Sequence, residues 1–185
     1  LDQYYKYSEF ISACPEKISV GLRINPEFSE TSLDIYNPCA PGSRLGITAT
    51  DLTMNGLPEG VEGLHFHVLF EANSHALEKV LIVVEKNFGK FFSKIKWINM
   101  GGGHLITGKG YDSDHLVNII RRFRENTGLQ IILEPGSAFG WETGELVSTV
   151  EDIVVNKGIK TAILDVSFTA HMPDCLEMPY KPKVI

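Results

Sequence analysis

Cysteine is scarce in this 185-residue sequence: Cys14, Cys39 and Cys175 stand far apart, odd in number and without CxxC spacing. That argues against a zinc or disulfide framework and reads as three reduced thiols. Basic charge is also in deficit, with 17 Lys and Arg against 23 Asp and Glu and a formal net charge of −6. No basic stripe appears, so nucleic acid is not expected as a partner. No apolar run reaches the ~20 residues of a membrane-spanning helix, and the opening residues lack the basic, apolar, small-residue order of a signal peptide. The expectation is a cytoplasmic protein with no membrane partner. Internal repeats and low-complexity segments are absent as well. A hydrophobic content of 43% with 22% charged residues then places the chain among ordinary globular proteins. The sequence opens on Leu1, inside what reads as the tail of an amphipathic helix over residues 1–14, and stops on the apolar pair Val184-Ile185. Both ends read as cut, so a piece of a longer protein is expected.

Hydrophobic periodicity alternates between strand and helix. Residues 18–25 (ISVGLRIN), 63–69 (GLHFHVL), 95–99 and 129–133 read as strands. Pro26 stops the first, and a loop-rich stretch runs from there to Gly60. Asn73 can cap a helix from Ser74 to about Asn87, with Ala76, Leu77, Val80, Leu81 and Val84 on one face. Asp112 or Ser113 can cap another to about Asn126, with Leu116, Ile119, Ile120 and Phe123 aligned. Strands separated by helices of this length predict βα units and a parallel sheet. After Gly140 the pattern changes. Residues 146–155 and 159–168 are β-rich and joined by Asn156-Lys157-Gly158, which predicts a hairpin with a three-residue loop. A boundary is expected near residues 138–145, giving an α/β unit over 1–140 and the start of an antiparallel unit over 141–185.

Each strand delivers polar residues at or near its carboxyl end, where parallel α/β barrels keep their sites. The first offers Arg23 and Asn25, the second His65 and His67. The third offers Met100-Gly101-Gly102-Gly103-His104, the fourth Glu134-Pro135-Gly136. Glycines after a strand let backbone N–H groups approach a phosphate closely, because no Cβ stands in the way. A plain flexible turn is the other reading. Glu134 closes an apolar run, so at least half burial and a partner for its carboxylate are expected; a strand terminus and turn is the simpler account. His65 and His67 lie two apart and share a strand face, as a metal pair, as a ring stacked on an aromatic cofactor, or as core histidines. With His104, Glu134 and Asp165 they could assemble a metal-dependent hydrolase. Arg23 in a strand calls for an anion or a structural ion pair. His75 and His115 fall on helices and read as solvated.

At these residues the chain resembles the fold-type III pyridoxal-phosphate decarboxylases, and within them the carboxynorspermidine/carboxyspermidine decarboxylases. The matching segments are Ser43-Arg44-Leu45-Gly46, Gly63-Leu64-His65-Phe66-His67, Met100 to Leu105, Leu133-Glu134-Pro135-Gly136, and Leu164-Asp165-Val166-Ser167-Phe168-Thr169-Ala170-His171-Met172-Pro173-Asp174 on to Met178-Pro179-Tyr180. The resemblance implies the second half of a (β/α)8, TIM-like barrel followed by the first hairpin of a C-terminal β-domain. It implies pyridoxal 5'-phosphate as cofactor, a polyamine substrate, and a homodimer with shared active sites. His67 would stack on the ring. Gly101, Gly102, Gly103 and Gly136 would hold the phosphate, with Ser137 and Arg23 nearby, and Glu134 would face the ring nitrogen. Asp174 and Glu177, with Ser137, would meet the substrate. No metal is expected on this reading. The resemblance places the Schiff-base lysine in an earlier segment than this chain contains, and Lys96 is the nearest lysine to a matching motif. After His67 stands Val68-Leu69-Phe70 in place of Gly-Ser, and after Gly136 stands Ser137 in place of arginine. A non-catalytic module that keeps the phosphate pocket is the remaining alternative.

Overall fold

The computed structural model describes residues 1–31, 36–177 and 181–185. Part of the loop after Pro26, and the Met178-Pro179-Tyr180 end of the last matching segment, lie outside the described residues. The chain divides into two compact units, Leu1–Trp141 and Glu142–Ile185.

The first unit opens with helix α1 (Asp2–Ser12) and is built on four parallel strands: β1 (Val20–Arg23), β2 (Val61–His65), β3 (Trp97–Asn99) and β4 (Gln130–Ile132). Their spatial order is β1-β2-β3-β4, the same as their chain order. A doubly wound sheet reverses its order at a switch point, whereas a barrel winds one way. The sheet therefore has the topology of part of a TIM-like barrel. Between the strands lie α2 (Ala49–Asn55), α3 (Ser74–Phe88) with a 3-10 turn at Gly89–Lys94, and α4 (Ser113–Thr127). Each helix begins where a side chain satisfies an orphan amide. Thr48 accepts from Asp51 N–H at 3.2 Å, Asn73 from Ala76 N–H at 3.0 Å, and Asp112 from His115 N–H at 2.8 Å. α4 ends on Gly128 in the left-handed region, φ 72°, a conformation that costs glycine little.

The strand pleat sorts the sheet into two faces. Leu22, Leu64 and Ile98 turn to one side and are buried with Leu77, Val80, Val84 and Phe88 of α3 and Leu116, Ile119 and Phe123 of α4. Each such side chain contributes about 1.5–3 kcal/mol on burial. Phe92 and Phe123 meet edge to face, with centroids 5.7 Å apart. The opposite face carries, side by side in register, Gly21, Gly63 and Trp97, and one step on, Arg23, His65 and Asn99. A Cβ at either Gly21 or Gly63 would fall on the Trp97 ring. Those glycines are therefore the space that the indole occupies. At the amino ends of the strands Trp97 Nε1 donates to Ser19 Oγ at 2.8 Å, and Glu62 pairs with Lys17 and Lys96. The Lys96 ammonium holds the Glu62 carboxyl down to about 2. Lys96 thus stands at the amino end of its strand, away from the carboxyl ends.

Observed strands are shorter than hydropathy predicted, although ladder hydrogen bonds run one residue past the parallel strands, from Ile24 N–H to His65 O, Phe66 N–H to Asn99 O and Met100 N–H to Ile132 O. β2 also starts earlier, at Val61, where residues 58–60 turn into the strand.

The second unit holds the antiparallel pair β5 (Val150–Asn156) and β6 (Ile159–Leu164). Asn156 pairs with Ile159, so the connection is the two-residue turn Lys157-Gly158, with φ of 48° and 80°. Two positive φ values define a type I′ turn, whose twist matches the strands better than the expected three-residue loop. Two short helices follow, α6 (Phe168–His171), capped by Ser167, and α7 (Asp174–Glu177); α5 (Gly136–Gly140) belongs to the first unit. Among the described residues no helix is long and apolar enough to cross a membrane.

Candidate functional site

Three strand ends meet at the carboxyl edge of the sheet. Asn99 closes β3 and its side chain spans two turns. Its Oδ1 accepts from Gly101 N–H at 2.8 Å, and its Nδ2 donates to Glu134 Oε1 at 2.7 Å. Backbone reinforces the link, since Glu134 N–H donates to Gly101 O at 2.8 Å. The second Glu134 oxygen faces His65 Nε2 at 3.9 Å, an electrostatic rather than a hydrogen-bonding distance. The Glu134 side chain is 52% exposed. That corrects the expectation of a half-buried or deeper carboxylate: the pleat turns it to the face that the helices do not cover. Its partner is an amide, not a cation.

His67 lies beside the glycine turn. Gly102 N–H donates to His67 Nδ1 at 3.4 Å, which puts the imidazole proton on Nε2 in the neutral ring. Partial burial pushes the His67 value below that of an ordinary imidazole, the Arg23 charge adds to this, and Glu134 opposes it. His65 is lowered by burial too, with Glu134 opposing and Arg23 reinforcing. Both rings are neutral at pH 7. Arg23 is half-buried, and its guanidinium donates to the His67 carbonyl at 3.3 Å. This main-chain contact is neither of the two partners expected for it.

The triple glycine is demanded by its own surroundings. Gly101 and Gly103 have φ of 68° and 81°, and a Cβ on them would fall on the carbonyls of Phe66 and Leu69. A Cβ on Gly102 would come within 2.7 Å of Glu134 O and 3.1 Å of His67 Cε1. The turn is therefore a tight joint between the ends of β2, β3 and β4, and not a flexible connector. Gly103 N–H donates to no described residue, and no atom lies within 4 Å of where a Gly136 Cβ would stand. Ser137 is exposed on α5.

Several expected residues are used elsewhere. Asn25 accepts from Glu27 N–H at 2.8 Å in a local turn. His104 is 1% exposed, packed beneath the turn with Nε2 3.4 Å from Met100 O, and its Nδ1 has no partner among the described residues. It is a core histidine, because the parallel bridge to Ala72 pulls its segment inward. Asp165 belongs to the second unit, where its carboxylate accepts from Thr149 N–H at 2.9 Å. Asp174 and Glu177 are exposed on α7 in that unit. His75 is exposed as expected, but His115 is half-buried, 3.0 Å from the Ser74 hydroxyl and 3.3 Å from Glu78.

The ligand atoms of His65, His67 and Glu134 all lie within 4.8 Å of one another, as do those of His75, Glu78 and His115. Asn99 is the residue that sequence reading missed. The available signal was its place two residues before the glycines, on the same strand face as His65 by register.

No family model matches the chain. It is 50% identical over all 185 residues to a carboxyaminopropylagmatine decarboxylase of Synechocystis sp., of which it covers 47%. It is 47% identical over the same residues to a carboxynorspermidine/carboxyspermidine decarboxylase of Campylobacter jejuni, again covering 47%. A solved structure of carboxynorspermidine decarboxylase from Campylobacter jejuni, complexed with norspermidine, superimposes with a TM-score of 0.85 at 45% identity, over 98% of this chain and 45% of that one. The chain spans about half the length of the curated relatives it matches. In sequence and in fold, the chain is thus similar throughout its length to nearly half of a carboxynorspermidine-type decarboxylase.

Proposed function

We propose that this chain is the cofactor-cradling part of a pyridoxal-phosphate decarboxylase of polyamine biosynthesis, acting on carboxynorspermidine, carboxyspermidine or a close analogue. The observation that carries the reading is the Glu134 carboxylate held beside the glycine turn, half in solvent, with a hydrogen bond on one oxygen only. Such a carboxylate can take a protonated ring nitrogen on its free oxygen. The residues fit the cofactor in three further respects. Gly103 N–H is available to a phosphate oxygen, open space surrounds Gly136, and the neutral His67 ring can stack on an aromatic face. The bound cofactor would supply an electron sink for the carbanion left when carbon dioxide departs. Glu134 would keep the ring nitrogen protonated, His67 would position the ring, and Arg23 would add positive potential. The Gly103 amide, with Ser137 and the open space at Gly136, would hold the phosphate, since the Gly101, Gly102 and Gly136 N–H groups already donate to Asn99 Oδ1, His67 Nδ1 and Glu134 O.

Residues 1–140 then form the second half of the barrel, and 141–185 form the first hairpin and the substrate-side segment of a β-domain. Asp174 and Glu177 would meet the protonated amines of the substrate tail, a charge-assisted contact that suits a polyamine. The similarity of all 185 residues to about half of each of two decarboxylases whose names specify cationic, carboxylated amines supports that substrate class. A cytoplasmic homodimer with shared sites completes the reading.

The test is carbon dioxide release by the intact protein, supplied with pyridoxal 5'-phosphate and carboxynorspermidine, carboxyspermidine or carboxyaminopropylagmatine. Turnover of at least one, lost by orders of magnitude in Glu134→Gln, is expected. The close approach of His65, His67 and Glu134 favours one rival, a metal-dependent hydrolase. Stoichiometric zinc with no affinity for pyridoxal 5'-phosphate would replace the decarboxylase reading with that one.

A further inference from the structure

Half of the Glu134 side chain faces solvent, and a glutamate so exposed ordinarily wanders among rotamers. Here it does not wander freely. The Asn99 amide holds one carboxylate oxygen at 2.7 Å while its own oxygen is committed to Gly101 N–H at 2.8 Å. These two partners fix the sense of the amide, because a backbone N–H can meet only the oxygen and a carboxylate only the NH2 group. His65 Nε2 stands too far, at 3.9 Å, to share the task. Main chain ties the same pieces together through Glu134 N–H and Gly101 O. The orientation of the carboxylate is thereby linked to the first residue of the glycine turn through a single side chain.

We propose that Asn99 is a positioning residue that locks the Glu134 carboxylate to the glycine turn, so that the ring-nitrogen partner and the phosphate cradle are set by one amide. This rests on the cofactor reading given above. The side-chain hydrogen bonds of Asn99 go to Glu134 and Gly101, and it acts through them. The near-isosteric Asn99→Asp keeps an acceptor for Gly101 N–H but removes the donor to Glu134 and sets a second carboxylate against the first. Two carboxylates sharing a site raise one another's proton affinity. Asn99→Ala removes both contacts.

The experiment compares intact wild-type protein, Asn99→Ala and Asn99→Asp by three measurements. These are amide hydrogen exchange without cofactor, affinity for pyridoxal 5'-phosphate, and the pH profile of turnover. Gly101 N–H should lose protection in Asn99→Ala and keep it in Asn99→Asp. Both variants should bind the cofactor about tenfold or more weakly, with kcat falling further than KM rises, and Asn99→Asp should move the acidic limb of the profile to higher pH. Wild-type protection at Gly101 in Asn99→Ala overturns the proposal, as does wild-type affinity with an unmoved profile in Asn99→Asp. Absence of cofactor binding in the wild-type protein would sink the cofactor reading instead, while the exchange measurement still decides whether Asn99 anchors the turn.

Discussion

Gly103→Ala separates a joint from a hinge at the glycine turn. Gly103 has φ 81°, and a Cβ there would fall on the Leu69 carbonyl, with the Leu69 Cβ a further 2.9 Å contact. An L-residue in the left-handed region costs roughly 1–2 kcal/mol. Overpacking against a neighbour that cannot swing away adds roughly 1–3 kcal/mol. Leu69 cannot swing away, because the obstructing atoms are backbone and residues 69–72 are tied to the turn. Ala72 N–H donates to Gly103 O at 2.8 Å, and Leu105 N–H to Ala72 O at 3.2 Å. A loss of about 2–5 kcal/mol is therefore expected in urea unfolding of the intact protein, read as a fall in midpoint at unchanged slope. A loss below about 0.5 kcal/mol would show that the turn yields, and the reading of these glycines as a rigid joint would be wrong.

Gly136→Ala is the counterpart: nothing lies within 4 Å of the added methyl and φ is not positive. Stability should therefore change by less than ~0.5 kcal/mol while affinity for pyridoxal 5'-phosphate, measured by fluorescence, falls several-fold; an unchanged affinity removes Gly136 from the cradle. His104 is held neutral by burial, below the value it has in the unfolded chain. As pH falls through about 6.5 the unfolded state takes up a proton that the folded state resists, so stability is lost toward acid. His104→Leu should make the stability profile between pH 7 and 5 shallower than wild type, and an equally steep profile would clear His104 of any part in it. Asp174→Ala should raise KM for a polyamine substrate far more than it weakens cofactor binding, and equal losses in both would refute its assignment to the substrate.

Much of this architecture was legible in the chain. Period-two and period-3.6 patterns placed the four strands and the helices over Ser74–Phe88 and Ser113–Thr127, and the caps at Asn73 and Asp112 were chosen by side chains whose chemistry is local. What escaped, besides the short helix α2 inside the stretch read as loop, were properties of register. Nothing local to Trp97 says that Gly21 and Gly63 are cut away beneath it, since those residues lie more than thirty positions off. Asn99 looked like the last residue of a strand, because its two partners belong to a different strand end and to the turn ahead. Glu134 was expected deeper than it is. An apolar run predicts burial for its neighbours, yet the pleat sends alternate residues to opposite faces, and only one face of this sheet meets the helices. His104 went the other way: read as one more polar group at a strand end, it is drawn into the core by its bridge to Ala72.

The stack of Trp97 on Gly21 and Gly63 bears on how this sequence can drift. Three positions on three adjacent strands share one volume, so their substitutions are epistatic. A larger residue at either glycine is lethal to the packing while the indole remains, and a smaller residue at position 97 opens a void that both glycines are powerless to fill. Change can pass through this point only in a fixed order, with the indole shortened first and a glycine enlarged second. Related sequences should therefore differ here as a set, bulk on one strand trading against bulk on its two neighbours.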